Sequence, residues 1–396
     1  MAHPGTLLLI MAVAVLAPVL AHGVGRRLRV PLVIFEIGLG IVIGPDVLDW
    51  ARSDAVVDTL SRLGLAMLIF LAGYETDFAA IRGGVLRRAL GAWLISLALG
   101  LGIAAALGPW EAALVVGTAL TSTALGTVLP ILRDSGDLRG RFGTVMLAFG
   151  AVGEFGPIIA MALLLSGRAP AESAVLLAAF AAVTAVAVVW ALRPRPPWFS
   201  RIIAGTLHSS AQFAVRWVML VLVSMLALAA VFGLDTLLGA FAAGVLTRLV
   251  LTGAAPESSA EILGKVEAMG FGFLVPLFFV VTGIEFDLRA LLSGGREAVL
   301  LGVFLLLFLV VRGGPVYLLA PRALSGPDRR ALTLYAATCL PLVVAITTIG
   351  TEDGSVGSGE AAAMVGAAMV SVLLFPLAAL RLRAGRSAAG VEEEVW

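Results

Sequence analysis

The chain has 396 residues, 60% of them hydrophobic and 13% charged, with a net charge of +1 and a mean hydropathy of +1.05. A water-soluble domain of this length is not so apolar, so the composition reads as a polytopic membrane protein. The near-zero charge argues against a nucleic-acid partner, and the single Cys339 excludes an intramolecular disulfide or a cysteine-rich metal site. His3 and His208 stand outside the apolar runs and His22 at the very end of the first, which disfavours haem or zinc; no cofactor is expected.

Apolar runs near 20 residues, bounded by charges, glycine and proline, predict an all-α protein with thirteen spans. They lie roughly at 5–22, 30–48, 56–73, 86–107, 111–132, 141–166, 172–192, 211–231, 234–252, 262–283, 296–320, 329–350 and 358–382. The first run has no basic residue before it and Arg26, Arg27 and Arg29 after it, the reverse of a signal peptide, and is expected to be retained. Spans eight and nine are separated by little more than Gly233. The spans make one transmembrane domain over 1–383, and the tail, 384–396, reads as a short solvated end. No Walker motif is present, so ATP is not the expected energy source.

Basic residues set the orientation. With the N-terminus outside, 21 of the 27 basic residues fall on the inner face and five, Arg52, Arg62, Arg168, Arg289 and Arg296, on the outer. Arg312 is left inside a span. This predicts an outer N-terminus, a cytoplasmic C-terminus and an odd number of crossings.

Short segments recur seven spans apart. Gly73-Tyr-Glu-Thr-Asp77 ends span three and Gly283-Ile-Glu-Phe-Asp287 ends span ten. Leu39-Gly-Ile-Val42 parallels Ala243-Gly-Val-Leu246, and Pro130 in span five parallels Pro341 in span twelve. Seven is odd, so paired spans run in opposite directions. This predicts inverted repeats over about 5–166 and 211–382, with 172–192 as linker, the plan of many secondary transporters.

The chemistry-bearing residues fall on these spans. Glu154 sits near the middle of the run 142–165, in Phe149-Gly-Ala-Val-Gly-Glu-Phe-Gly-Pro157. Hydrocarbon solvates an ionised carboxylate poorly, so Glu154 needs a partner or a purpose. In a wet cavity it could hold a proton or a cation but not both, and that competition would couple two fluxes. In span five, Gly126 and Pro130 are expected to break the helix and free carbonyls, beside the hydroxyls of Thr121, Ser122, Thr123 and Thr127. Oxygen ligands of this kind suit hard cations, although such hydroxyls also bond back to their own helix. Pro341 breaks span twelve in the same way. Arg312 either snorkels or acts as a fixed cation, and it does not release its proton at working pH. Glu36, two turns into span two, is a structural carboxylate or lines an approach; the two Gly-x-Glu-x-Asp segments read as interfacial caps.

Several of these segments together resemble the bacterial monovalent cation:proton antiporters of the second type, which include the Kef-type potassium systems. Phe35-Glu-Ile-Gly-Leu-Gly-Ile-Val-Ile-Gly-Pro45 is similar to that family's span two, and Phe70-Leu-Ala-Gly-Tyr-Glu-Thr-Asp-Phe78 to the end of its span three. Thr121-Ser-Thr-Ala-Leu-Gly-Thr-Val-Leu-Pro-Ile-Leu-Arg-Asp134 resembles span five, and Pro276-Leu-Phe-Phe-Val-Val-Thr-Gly-Ile284 span ten. The resemblance implies a thirteen-helix antiporter fold with crossed, discontinuous helices five and twelve, a homodimer and an elevator-like movement. It implies exchange of Na+ or K+ for H+ across a bacterial inner membrane, with the ion or proton held by Glu154, Thr121, Ser122 and Thr123. Arg312 falls where the family places its membrane-embedded Lys or Arg. The family carries a polar pair in span six; Gly153 and Glu154 occupy those positions here, and a single titratable carboxylate implies one proton for one cation. A potassium efflux channel on the same fold and a transport-inactive sensor are the alternatives. No nucleotide-binding domain is recognised, so nucleotide gating is not expected.

Overall fold

A computed structural model describes residues 4–25, 31–75, 83–138, 140–165, 170–191, 193, 197–254, 256–293 and 295–392. Several residues used above for orientation or repeat (Arg26, Arg27, Arg29, Thr76, Asp77, Arg168) lie outside them, as do Arg139 and Arg195, two of the basic residues counted on the inner face. The regular structure of the described residues is helical. In chain order the helices are α1 (Pro4–Gly25), α2 (Leu32–Ile43), α3 (Ala55–Glu75), α4 (Gly84–Leu107), α5 (Trp110–Ala119), α6 (Leu125–Asp134) and α7 (Arg141–Leu164). There follow α8 (Pro170–Ala191), α9 (Pro197–Thr206), α10 (Phe213–Val231), α11 (Thr236–Ala254), α12 (Ser259–Met269) and α13 (Val275–Ile284). The last are α14 (Leu288–Ser293), α15 (Gly295–Leu307), α16 (Gly314–Leu319), α17 (Gly326–Ala337), α18 (Pro341–Glu352) and α19 (Ser358–Glu392). One π-helical stretch, Gly270–Leu274, joins α12 to α13, and another, Phe308–Gly313, joins α15 to α16.

Among the described residues, eleven helical segments are long and apolar enough to cross a membrane, and Leu32–Ile43 and Trp110–Ala119 are shorter apolar helices. Large apolar side chains such as Val186, Leu220 and Leu318 are exposed on their outer faces. Such faces would be anomalous in water and are ordinary against lipid. The chain divides into two compact units, each built from non-contiguous segments.

The first unit comprises Met1–Leu7, Ser53–Asp77 and Ile158–Val281. Here α3 and α11 approach backbone to backbone. A Cβ at Gly73 would lie closer than 3.0 Å to the Phe241 carbonyl oxygen, and one at Gly244 equally close to that of Phe70. Small residues of this kind let apolar helices gain dispersion contact where no hydrophobic effect drives them together. Arg248 of α11 donates from Nη1 to the carbonyls of Tyr74 (3.0 Å) and Glu75 (3.1 Å), satisfying the open end of α3. Spans eight and nine are separate helices: Gly233 turns between α10 and α11 at φ 63°, and Asp235 accepts from the Leu237 N–H (2.8 Å) at the start of α11. The sequence reading placed no element at α9. That helix has ten residues, too few for a search tuned to membrane-length runs, although Ile203 is buried and Trp198 and Ile202 are exposed.

The second unit comprises Leu8–Arg52, Phe78–Pro157 and Thr282–Trp396. Gly283, at the end of α13, faces the Ile37 carbonyl of α2 in the same close manner. Asp287, the last residue of the second Gly-x-Glu-x-Asp segment, accepts from the Ala290 N–H (2.7 Å) and so caps α14. At one end of the unit Arg383 of α19 bonds Asp137 (2.9 Å), which follows α6, and also Asp328 in the first turn of α17; its guanidinium lies 3.7 Å over the Phe142 ring of α7. One cation thus ties α19, α17, α7 and the turn after α6, through two largely buried carboxylates. Removing a partner from such a group strands charge in a poorly solvating place. Arg383→Ala is expected to cost about 2–3 kcal/mol of stability, measured by denaturant unfolding in detergent; a loss below about 0.5 kcal/mol would show the cluster to be a solvated surface pair.

Candidate functional site

The fifth span is interrupted, and the interruption is made by its hydroxyl residues. Helix α5 ends at Ala119 and α6 begins at Leu125. Between them Thr121 Oγ1 donates to the Thr118 carbonyl and Ser122 Oγ to that of Ala119, both at 2.8 Å. The same carbonyls accept the Thr121 and Ser122 N–H groups (3.1 and 3.2 Å), so the helix tightens into a closing turn to which the hydroxyls add a second bond, the usual competition of short polar side chains with a continuing helix. Gly126 and Pro130, expected to make the break, lie inside α6. That expectation is corrected: the run Thr121-Ser-Thr123 unwinds the chain before either residue is reached. All three hydroxyl residues are at most 1% exposed.

Pro341 does stand at an interruption. Helix α17 ends at Ala337, and Pro341 opens α18 at its first position, where its missing N–H is harmless. Helices that stop inside an apolar medium leave carbonyls and N–H groups that water cannot reach, so each must be satisfied by protein. The two interruptions satisfy each other. Ala124 N–H donates to the Thr338 carbonyl (2.7 Å), and Thr123 Oγ1 donates to the Ala336 carbonyl (2.6 Å). Ser371 of α19 accepts the Cys339 N–H (3.2 Å), a partner that sequence reasoning had no signal to find.

Helix α7 joins through its own defect. Pro157 has no N–H, so the carbonyl of Gly153, four residues earlier, lacks its helical partner. Thr123 N–H fills that place at 2.9 Å. The next residue is Glu154, 4% exposed. A face of glycines runs along the helix here. A Cβ at Gly150 would collide with the Leu125 side chain, one at Gly153 with Arg312 and Thr123, and one at Gly156 with the Trp93 ring of α4.

Arg312 is fully buried on the π-helical stretch ahead of Pro315, so it does not snorkel. Its Nε donates to Thr123 Oγ1 (2.9 Å) and its Nη2 to the Phe149 carbonyl (2.7 Å). The structure therefore brings Thr123, Arg312, Gly153 and the second interruption into one bonded cluster, with Thr121 and Ser122 beside it in the chain and Glu154 next to Gly153. Glu36 is buried on α2 and takes no part in the bonds of this cluster. Thr121 and Ser122 have committed their protons to carbonyls, which leaves oxygen lone pairs as their remaining chemistry. An acidic side chain, lone-pair hydroxyls and unwound carbonyls are a donor set for a hard cation.

A profile described as sodium/hydrogen exchanger, transmembrane, matches residues 11–380. The chain belongs to the sodium/hydrogen exchanger family. Among its relatives, the Na(+)/H(+)-K(+) antiporter GerN of Bacillus cereus is 27% identical over 70% of this chain and 71% of its own length. YjbQ of Bacillus subtilis is 26% identical over 95% of this chain, which spans 63% of YjbQ. The solved structure of the sodium proton antiporter MjNhaP1 of Methanocaldococcus jannaschii at pH 8 superposes with a TM-score of 0.68, covering 94% of this chain and 97% of that chain. At 16% identity that likeness establishes the fold.

Thr123 carries the most bonds in the cluster: it accepts from Arg312, donates to Ala336 and pairs with Gly153. Thr123→Val keeps the shape but strands the Arg312 Nε and the Ala336 carbonyl, and should cost about 2–4 kcal/mol. Thr123→Ser should retain most of the stability. Thermal unfolding of the two purified variants checks this; equal melting temperatures would remove the hydroxyl from the account.

Proposed function

We propose that this chain exchanges a monovalent cation, Na+ or K+, for H+ across a bacterial inner membrane, through competition of the two ions at Glu154. The observation that carries the proposal is the position of Glu154: a buried carboxylate adjoining the residue whose carbonyl bonds the interrupted fifth span. Thr121, Ser122 and Thr123 supply the further oxygens, and Arg312 supplies a fixed positive charge. The family membership and the names of the relatives support exchange; GerN supports K+ as well as Na+ as cargo.

The proposal extends to the architecture. Thirteen crossings with an outer N-terminus and cytoplasmic C-terminus are supported by the eleven membrane-length segments, the two shorter apolar helices and the distribution of arginine. Inverted repeats over about 5–166 and 211–382 are supported by contacts that repeat with the sequence. Gly73 of span three against Phe241 of span nine has its counterpart in Gly283 of span ten against Ile37 of span two. Spans five and twelve are both interrupted, and the bonds joining them support a crossing. Two separately packed units are what an elevator-like movement requires. A homodimer is part of the same proposal.

Glu154→Gln should abolish cation-dependent dissipation of a pH gradient in proteoliposomes while the purified protein stays folded. Unchanged exchange would remove Glu154 from the mechanism. One carboxylate trading one proton for one cation moves no net charge, so the wild-type exchange rate should not respond to an imposed membrane potential. A marked voltage effect would reject that stoichiometry.

A further inference from the structure

The family resemblance leads one to expect a polar side chain at position 153, and this chain has none. The space is not empty. A Cβ built on Gly153 would come closer than 3.0 Å to Arg312 Nη2, Thr123 Oγ1 and Thr123 Cβ together. Nη2 itself bonds the Phe149 carbonyl, one helical turn before Gly153 on the same helix. The guanidinium thus lies along α7 in the volume that a side chain at 153 would take.

We propose that Gly153 is a positioning residue: its missing side chain admits the Arg312 guanidinium to the ion site and makes the pair a single device. This role presupposes cation–proton exchange at Glu154. Thr123 cannot yield to a side chain at 153, because its N–H is bonded to Gly153, its hydroxyl proton to Ala336, and its oxygen accepts from Arg312 Nε. Of the two neighbours, Arg312 is the one that can withdraw, being the far end of a flexible side chain; the contact with Thr123 is relieved only by a shift of the backbone and is the same with or without Arg312. It would lose the short bond to Phe149, and its charge would move away from the residue next to Glu154. The seated guanidinium acts as a resident cation. It lies against Gly153, the residue preceding Glu154, where its charge weakens the hold on cargo by repulsion and speeds its release. A unit charge several ångströms away, at the effective dielectric of a protein interior, changes ion affinity on the order of tenfold.

The test is a double-mutant cycle on the full chain in proteoliposomes, with Gly153→Ala, Arg312→Ala and the double variant, using Na+ and K+ to dissipate a pH gradient. With Arg312 present, Gly153→Ala should lower the apparent KM for the cation about tenfold and slow the maximal rate. With Arg312 already removed, it should change both by less than about twofold. A rise in KM, no change, or the same change in both backgrounds overturns the proposal. Melting temperature in detergent covers failure to fold: a Gly153→Ala protein rescued by removing Arg312 supports the pairing, and one equally unstable without Arg312 contradicts it. Glu154→Gln, run in parallel, separates the two claims. Exchange that survives in Glu154→Gln defeats the site assignment, whereas coupling between 153 and 312 in the melting temperatures stands or falls independently of it.

Discussion

A backbone carbonyl cannot be left unpaired where water is absent, and α7 contains one by construction. Pro157 deprives Gly153 of its helical partner, and the N–H of Thr123 takes up the orphan. The donor is available because α5 ends in a tight turn at Thr121 and Ser122, whose N–H groups and hydroxyls bond its last carbonyls. The second interruption, at 338–340, is satisfied from the first through Ala124 and Thr123. Each defect is tolerable because another answers it. The unwound oxygens follow from that mutual satisfaction, and the buried arginine bonds into it through Thr123.

Much of the fold was legible because bilayer thickness imposes a length on apolar runs. Most expected spans coincide with helical segments of the structure to within a few residues, and the doubtful division at Gly233 falls at a left-handed turn; the last one does not, because α19 continues to Glu392 through part of the expected tail. Glu154 and Arg312 stood out for the same reason: charge in such runs is costly, and both prove to be buried. Pro341 was legible as a break because its effect is local. The other break was misplaced. Gly126 and Pro130 are weak helix formers by rule, yet Pro130 is accommodated within α6, while three consecutive hydroxyl residues unwind the chain earlier. Propensity ranks residues singly, whereas this break depends on where three hydroxyls find acceptors.

What sequence could not supply was the identity of partners. Ser371 lies 32 positions along the chain from Cys339, whose N–H it accepts, and nothing in its sequence surroundings marks it. Gly153 was legible only as a departure, a position where a ligand had gone missing. The structure gives that departure a steric meaning, since the volume it vacates is filled by Arg312. An absent side chain on one helix and a long one on another are a single feature that no reading of either span alone reveals. The helix α9 was missed for a simpler reason, its length.

The most direct test of a single contested carboxylate is to count protons. Purified protein in weak buffer at fixed pH, titrated with Na+ or K+ at constant ionic strength, should release roughly one proton for each cation bound. Cation binding with no proton release, or with release near two, would contradict competition at Glu154.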